Sequence, residues 1–199
     1  MTIQPKSALL IVDVQNDFCP GGTLAVFNGD QVVEPLNKMI RHAKDREWFT
    51  VASRDWHPRE TKHFEEFGGK WPVHCVQNTP GADFHPSLKL TGGIYIVSKG
   101  MLPTEDAYSP FDGLAYGSSL NEILKAFKVD KLYIGGLATD YCVKAACLDA
   151  KKLGYKTYLL LDACRAVNIN PDDEAGALEE MNDAGVIITT TKEVLNEGR

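Results

Sequence analysis

The residues LLIVDVQNDF, numbered 9–18, give the clearest indication of the fold. They begin with an apolar run without polar alternation, which is typical of a parallel strand buried on both faces of a sheet. Asp13 follows this run directly, at the carboxyl end of the predicted strand. Ligands of open α/β sheets bind beyond this end, so polar residues placed there are candidate functional residues.

Similar apolar runs recur at residues 8–14, 48–52, 94–97, 132–134, 157–161 and 186–189. Between several of them, apolar residues repeat at helical spacing, over residues 32–43, 120–127 and 175–181. This alternation predicts an α/β fold with a doubly wound parallel sheet and helices on both faces. The segment at about 55–93 lacks periodicity, and a loop of that length inside a compact domain is usually functional.

Composition narrows the class of protein. The 199 residues, 44% of them hydrophobic, predict one domain over residues 1–199 with a sizeable core. A formal charge of −6 argues against nucleic acid and anionic membranes as partners, so we expect a small neutral substrate. No segment resembles a secretory leader or a membrane span, which predicts a cytoplasmic protein. The five cysteines are an odd number, which favours free thiols.

Cys142, in YIGGLATDYCV, is the best candidate nucleophile. We expect Thr139 to cap a helix, so that the thiol lies near a helix start where the dipole favours a thiolate. Asp13 could take the thiol proton, and Lys99, in IYIVSKG, could hold both groups in their charged forms. The alternatives are a packing cysteine, a hydrogen-bonding strand-end carboxylate and a solvated lysine.

A metal site is predicted in the long loop. Asp55 and His57 stand at i and i+2, so both side chains point the same way in an extended segment, and His74 in GGKWPVHC could be a third ligand. His63 is a candidate fourth ligand or an outer-shell group. Such a donor set binds one divalent ion, with zinc first and iron or manganese also accepted. The alternative is a group of solvated or hydrogen-bonded histidines.

With these residues the sequence resembles the nicotinamidase branch of the isochorismatase-like cysteine hydrolases over nearly the whole chain. The resemblance is carried by Asp13 with Phe18, DWH at 55–57, WPVHC at 71–75, SKG at 98–100 and GLATDYCV at 136–143. It implies a six-stranded parallel sheet in the order 3-2-1-4-5-6. It also implies hydrolysis of nicotinamide to nicotinic acid and ammonia through a cysteine thioester, with pyrazinamide as a further substrate and NAD salvage as the setting.

The same resemblance assigns further residues. It implies a cis peptide between Leu137 and Ala138, and an oxyanion hole formed by the N–H groups of Ala138 and Cys142. Phe18 and Trp71 are expected to sandwich the pyridine ring in a substrate pocket that includes Leu137, with the ring nitrogen on the metal. For the two aromatic residues the alternative is core packing.

Two rival functions remain open at this level. The chain could be another, metal-free amidase or an isochorismatase-type hydrolase of the same superfamily, which metal analysis would reveal. It could also be a catalytically silent binding protein on this scaffold, which would lack a reactive thiol. Whether the chain forms a homo-oligomer is left open.

Overall fold

The computed structural model describes residues 6–90, 92–106 and 108–197. Within these ranges lie eight strands, β1 (Lys6–Val12), β2 (Phe49–Asp55), β3 (Tyr95–Lys99), β4 (Leu114–Ala115), β5 (Ser118–Ser119), β6 (Val129–Leu137), β7 (Lys156–Arg165) and β8 (Ile187–Thr189). They also contain five α-helices, α1 (Val33–Asp45), α2 (Leu120–Ala126), α3 (Lys144–Lys152), α4 (Asp173–Asp183) and α5 (Thr191–Asn196). None of the described helices is long and apolar enough to cross a membrane.

The strands form one sheet in the order β5-β4-β3-β2-β1-β6-β7-β8. The last six strands of this order, β3-β2-β1-β6-β7-β8, pair in parallel. They correspond to the predicted order 3-2-1-4-5-6, so the doubly wound prediction is confirmed. The strand count was wrong, because β4 and β5 add two antiparallel strands at the β3 edge. Each has two residues, which is too short to show an alternating pattern.

Both faces of the sheet are buried, as the continuous apolar runs predicted. Leu9 and Ile11 of β1 point to the face covered by α1 and α5, whereas Leu10 and Val12 point to the face covered by α2, α3 and α4. All four side chains are at most 1% exposed. Because most positions on both faces are apolar, the charged candidate residues lie at the sheet edge and in its loops.

The connection from β2 to β3 contains no α-helix among its described residues, and only short 3₁₀ turns at Glu65–Phe67 and Pro80–Ala82. Hydrogen bonds, rather than the packing of a helix, hold this connection in place. The Gln15 side chain accepts from the Asp55 N–H at 2.8 Å and donates to the Asp55 carbonyl oxygen at 2.8 Å. It also donates to the Ala82 carbonyl oxygen at 2.9 Å. This connection is the predicted metal-binding loop, and it starts from a firmly held strand end.

The close approach of β6 to β1 generates the first prediction. Gly136 has φ +136°, and a Cβ atom there would lie 2.0 Å from the Val12 carbonyl oxygen. We expect Gly136→Ala to lower the free energy of unfolding by at least about 2 kcal/mol, because backbone atoms of two buried strands would have to separate. Urea unfolding measures the change.

Gly176 in α4 is the matched control, because a Cβ there meets open space. We expect Gly176→Ala to raise the unfolding free energy by about 0.5–1 kcal/mol, as Ala does in place of Gly within a helix. A Gly136→Ala protein as stable as the wild type would contradict the close packing of β6 on β1.

Candidate active site

Four chemically active side chains meet at the carboxyl edge of the sheet. Asp13 follows β1 directly, and Asp55 and Lys99 are the last residues of β2 and β3, where they stand opposite each other in the ladder. Cys142 lies beyond the end of β6 in the turn that leads into α3. Because β6, β1, β2 and β3 are neighbours in the sheet, the structure brings all four residues together.

Lys99 stands at the centre of this group and is 1% exposed. Its ammonium nitrogen lies 2.9 Å from Asp13 Oδ2 and 3.5 Å from Cys142 Sγ, and it also donates to Asp55 Oδ1. Burial alone would lower the Lys99 pKa, but the two carboxylates raise it well above the ordinary lysine value. Lys99 is therefore a permanent buried cation between the thiol and two carboxylates.

Asp13 is fully buried and has φ +48°, an uncommon conformation for a residue with a side chain. Ser53 Oγ donates to Asp13 Oδ1 at 2.7 Å, which fixes the carboxylate toward the lysine. Burial raises the pKa of Asp13, and the Lys99 charge opposes this only in part. A carboxylate with a raised pKa is a stronger base, which suits a group that accepts a thiol proton.

Cys142 lies in a π-helical turn, Thr139–Val143, and lines a pocket. The prediction that Thr139 caps the helix is wrong, because Ala138 occupies the cap position and no side chain bonds there. Burial raises the pKa of the Cys142 thiol well above its ordinary value, and Lys99 works against this shift. Burial thus outweighs the expected effect of the helix start, and the thiol needs a neighbouring base.

The predicted metal ligands form a second cluster beside the lysine. The Nε2 atoms of His57 and His74 lie 3.7 Å and 3.8 Å from Asp55 Oδ2, whereas Lys99 donates to Oδ1. His63 joins them, with its ring stacked on His57 at a centroid distance of 4.6 Å. Potential ligand atoms of the three histidines lie within 4.8 Å of one another, and all three residues are buried.

Each imidazole of this cluster donates from Nδ1 to a protein oxygen, so its Nε2 is the nitrogen that remains to bind a metal. The acceptors are the Gly100 carbonyl oxygen for His57, at 3.1 Å, the Pro72 carbonyl oxygen for His74, at 2.7 Å, and the Asp106 carboxylate for His63. Metal-binding histidines commonly have this second hydrogen bond. His57 Nε2 is buried without a hydrogen-bond partner, which is costly unless a ligand completes it.

The charge states also fit a divalent ion. Burial lowers the pKa of His74 to about 4 and lowers that of His63, so both imidazoles are neutral, as metal ligands must be. Burial opposes ionisation of Asp55, but Lys99 and His57 hold its pKa well below the ordinary value. Neutral imidazoles beside an ionised carboxylate match the donor set of a first-row metal with open positions.

A narrow pocket joins the two clusters. Asp55, His63 and His74 line it together with Cys142, and its remaining walls are Phe18, Leu24, Val26, Trp71, Tyr108, Leu137, Ala138, Tyr141 and Val167. The Trp71 indole donates to the Tyr108 hydroxyl at 2.9 Å, which holds its ring in place. The bond between Leu137 and Ala138 is cis, as the family resemblance implied. The pocket is mainly apolar and suits a small aromatic compound.

Sequence reasoning missed several residues of the site, namely Ser53, Asp106, Tyr108 and Tyr141. Ser53 stands two residues before Asp55 on the same strand, and a polar residue inside an apolar run was a usable signal. Asp106 and Tyr108 come from the segment after β3, and nothing in their spacing indicates that they reach the metal loop. Tyr141 packs its ring against Trp71 at 5.0 Å.

Fold and site together define the class of protein: an α/β enzyme with the thiol, lysine and carboxylates of a cysteine hydrolase. A model of the isochorismatase domain matches residues 7–193. The chain therefore belongs to the isochorismatase family.

Its relatives are similar over nearly their whole length. The nicotinamidase of Escherichia coli (strain K12) is 42% identical over 203 residues, which cover 94% of this chain and 95% of that protein. The pyrazinamidase of Pyrococcus horikoshii, solved in complex with zinc, has a TM-score of 0.86 and 46% identity over 94% of this chain and 99% of that one. A protein of L. infantum, solved in complex with nicotinate, has a TM-score of 0.83 and 33% identity over 94% of this chain and 93% of that one.

The buried lysine generates the second prediction. We expect Lys99→Met to shift the pH profile of Cys142 alkylation by iodoacetamide to higher pH, because the cation that opposes the raised thiol pKa is lost. Labelling followed by mass spectrometry measures the rate at each pH, and Cys142→Ala identifies the labelled thiol.

Lys144→Met is the matched control, because this lysine on the following helix pairs with Glu180 at 3.1 Å and its loss should leave the profile unchanged. An unshifted profile in Lys99→Met would show that Lys99 does not act on the thiol.

Proposed function

We propose that this enzyme is a nicotinamidase, which hydrolyses nicotinamide to nicotinic acid and ammonia and also accepts pyrazinamide, in the setting of NAD salvage. The observation that carries the proposal is the arrangement of the pocket. Cys142, which contacts Lys99, lines the pocket together with His63, His74 and Asp55 of the predicted metal cluster. A flat compound that presents a carboxamide to the thiol and a ring nitrogen to this cluster matches both groups. The names of the similar enzymes support the same substrate.

Asp13 and Cys142 carry out the proposed chemistry. Asp13 takes the thiol proton, and the sulfur attacks the carboxamide carbon while the N–H groups of Ala138 and Cys142 receive the oxyanion. The C–N bond then breaks, and Asp13 returns its proton to the leaving ammonia. A thioester remains on the sulfur. Water, deprotonated by Asp13, attacks the thioester and breaks the C–S bond. Asp13 returns that proton to the departing sulfur, which restores the thiol and releases nicotinic acid.

Lys99 does not exchange a proton in this scheme, because its carboxylate partners keep it charged. Its ammonium, 3.5 Å from the sulfur, stabilises the thiolate that forms as Asp13 takes the proton. The same ammonium lowers the pKa of Asp13, because it favours the ionised carboxylate. It therefore offsets part of the increase that burial causes. Lys99 therefore keeps Asp13 ionised and able to accept a proton, and it also stabilises the developing thiolate. Neither burial nor the helix start has both effects.

Asp55, His57 and His74 are the proposed metal ligands, with His63 as the fourth, and zinc is the proposed ion. Zinc accepts this mixed donor set, and the similar Pyrococcus horikoshii enzyme was solved with it. A bound ion would supply a Lewis-acid contact to the pyridine nitrogen and so orient the substrate. The orphaned Nε2 of His57 favours this metal-dependent reading over a metal-free hydrolase of the same family.

Phe18 and Trp71 are the proposed walls for the ring. Both line the pocket and both are at most 9% exposed, and Phe18 also packs against His74 at a ring distance of 5.4 Å. The Trp71 indole is already hydrogen-bonded to Tyr108, so its polar group needs nothing from the ligand. Its face is thus available for stacking on an aromatic ring. Leu137 adds an apolar contact from the end of β6.

The nucleophile generates the third prediction. We expect Cys142→Ala to reduce ammonia release from nicotinamide to below about a thousandth of the wild-type rate, because no other group in the scheme forms the acyl intermediate. Metal content and thermal unfolding should stay as in the wild type, since the metal ligands are untouched. Cys147→Ala, which removes a buried thiol of the core, is the control for cysteine loss. Substantial turnover by Cys142→Ala would exclude covalent catalysis.

Substrate choice generates the fourth prediction. Benzamide has the carboxamide and nearly the shape of nicotinamide, but a C–H replaces the ring nitrogen. A site built for a polar partner rejects an analogue that lacks it, so we expect kcat/KM for benzamide to be at least about 100-fold lower than for nicotinamide. Pyrazinamide keeps the nitrogen and should be accepted. Assays of the three amides on metal-replete enzyme test this, and equal values for benzamide and nicotinamide would remove the physical basis of the substrate assignment.

A further inference from the structure

Two segments of the chain meet over the histidine cluster. One is the loop between β2 and β3, which carries the histidines, and the other consists of the described residues that follow β3, 100–106 and 108–109. The Lys62 N–H donates to the Pro103 carbonyl oxygen at 2.9 Å, and the Thr61 hydroxyl donates to the same oxygen at 3.3 Å. The Gly100 carbonyl oxygen holds His57. The second segment therefore acts as a support for the first.

Asp106 makes the contact in this support that concerns a metal ligand directly. Its carboxylate is hydrogen-bonded to Nδ1 of His63, although 43 residues separate them in sequence. The His63 side chain is 4% exposed, whereas that of Asp106 is 67% exposed. Asp106 thus lies at the surface and reaches inward to one buried nitrogen.

His63 differs from the other two histidines in what holds it. His57 and His74 donate to backbone carbonyl oxygens, whose positions are set by the chain itself. The Nδ1 of His63 depends on a side chain from another segment. Its ring is otherwise restrained by neighbouring rings, at 4.6 Å from His57 and 5.8 Å from Tyr108. Ring stacking restrains the plane of the imidazole more than its rotation within that plane. A hydrogen bond to a ring nitrogen restrains this rotation.

We propose that Asp106 is a positioning residue for the metal centre, which holds the His63 ring so that Nε2 faces the space between His57 and His74. This inference rests on the metal site of the proposed function and not on its substrate. A carboxylate behind a metal-binding imidazole also makes the imidazole a stronger ligand, and loss of such a partner typically weakens metal binding by about 10- to 100-fold. Asp106 accordingly makes His63 a ligand, although it binds no metal itself.

Zinc affinity, measured by competition with a chromophoric chelator, tests the proposal without any assay of turnover. We expect Asp106→Ala to weaken zinc binding by about 10- to 100-fold. Asp106→Asn should have a smaller effect, because its amide oxygen can still accept from Nδ1. Glu66→Gln is the matched control, since it removes an exposed carboxylate of the histidine loop that pairs with Arg59 at 3.4 Å, and it should leave the affinity unchanged.

A double-mutant cycle separates positioning from general weakening. If Asp106 acts through His63, then Asp106→Ala added to His63→Ala should weaken zinc binding no further than His63→Ala alone. Additive losses would overturn the proposal, as would an Asp106→Ala protein with wild-type affinity. The visible spectrum of the cobalt(II)-loaded protein is the second readout, and Asp106→Ala should change it in the same direction as His63→Ala. An unchanged cobalt spectrum in Asp106→Ala would also overturn the proposal.

The outcome is independent of the substrate assignment. A wild-type enzyme that binds zinc but releases no ammonia from nicotinamide would refute the proposed function and leave the Asp106 measurements valid. Conversely, normal nicotinamide turnover with an Asp106→Ala zinc affinity equal to that of the wild type would refute the role of Asp106 alone. Wild-type protein that binds neither zinc nor cobalt would overturn the role of Asp106 together with the metal site.

Discussion

The Lys99 ammonium is buried at the carboxyl edge of the sheet, and the groups around it are arranged by the need to satisfy its charge. An isolated ammonium in such a place would lose its proton or unfold the site, because removal of a charge from water costs several kcal/mol. Asp13 and Asp55 stabilise the charge from two sides. The same ammonium contacts the Cys142 sulfur, so the cation whose burial the carboxylates make possible also lies beside the proposed nucleophile.

Asp55 connects the two halves of the site through its two oxygens. Oδ1 binds the lysine, and Oδ2 faces the Nε2 atoms of His57 and His74. Asp55 is among the residues that would hold a divalent ion, and such an ion would share the charge of this carboxylate with Lys99. The proposed base, the lysine and the proposed metal ligands therefore form one electrostatic unit, and a change to any of them affects the charges of the others.

Sequence reasoning found the parts of this unit that follow strand ends and missed those that depend on distant segments. Asp13, Asp55 and Lys99 each end an apolar run, and parallel strands bring such ends to one edge, so their meeting was predictable. The contact of Asp106 with His63 crosses 43 residues, and no local pattern encodes it. Thr139 was predicted wrongly as a helix cap. It is a residue type that often caps helices, but here it is the first residue of the π-helical turn, and Ala138 occupies the cap position. The two-residue strands β4 and β5 were missed because a period needs several residues to appear.

The residues just after β1 explain how a long connection with no α-helix among its described residues can hold the proposed metal ligands in place. Gln15 pairs with both backbone groups of Asp55, as a neighbouring strand would, and so continues the ladder beyond the last residue of β1. Asp17 accepts the Cys75 N–H at 2.7 Å, which fixes the chain next to His74. A Cβ atom on Gly81 would lie 2.1 Å from the Asp17 carboxylate, so the loop packs directly onto it. One short segment thus supplies the proposed base, fixes the predicted metal-binding loop at two points and presents Phe18 to the pocket. Apolar packing of a helix could bury such a loop, but directional hydrogen bonds to its backbone are needed to hold individual ligand atoms in position.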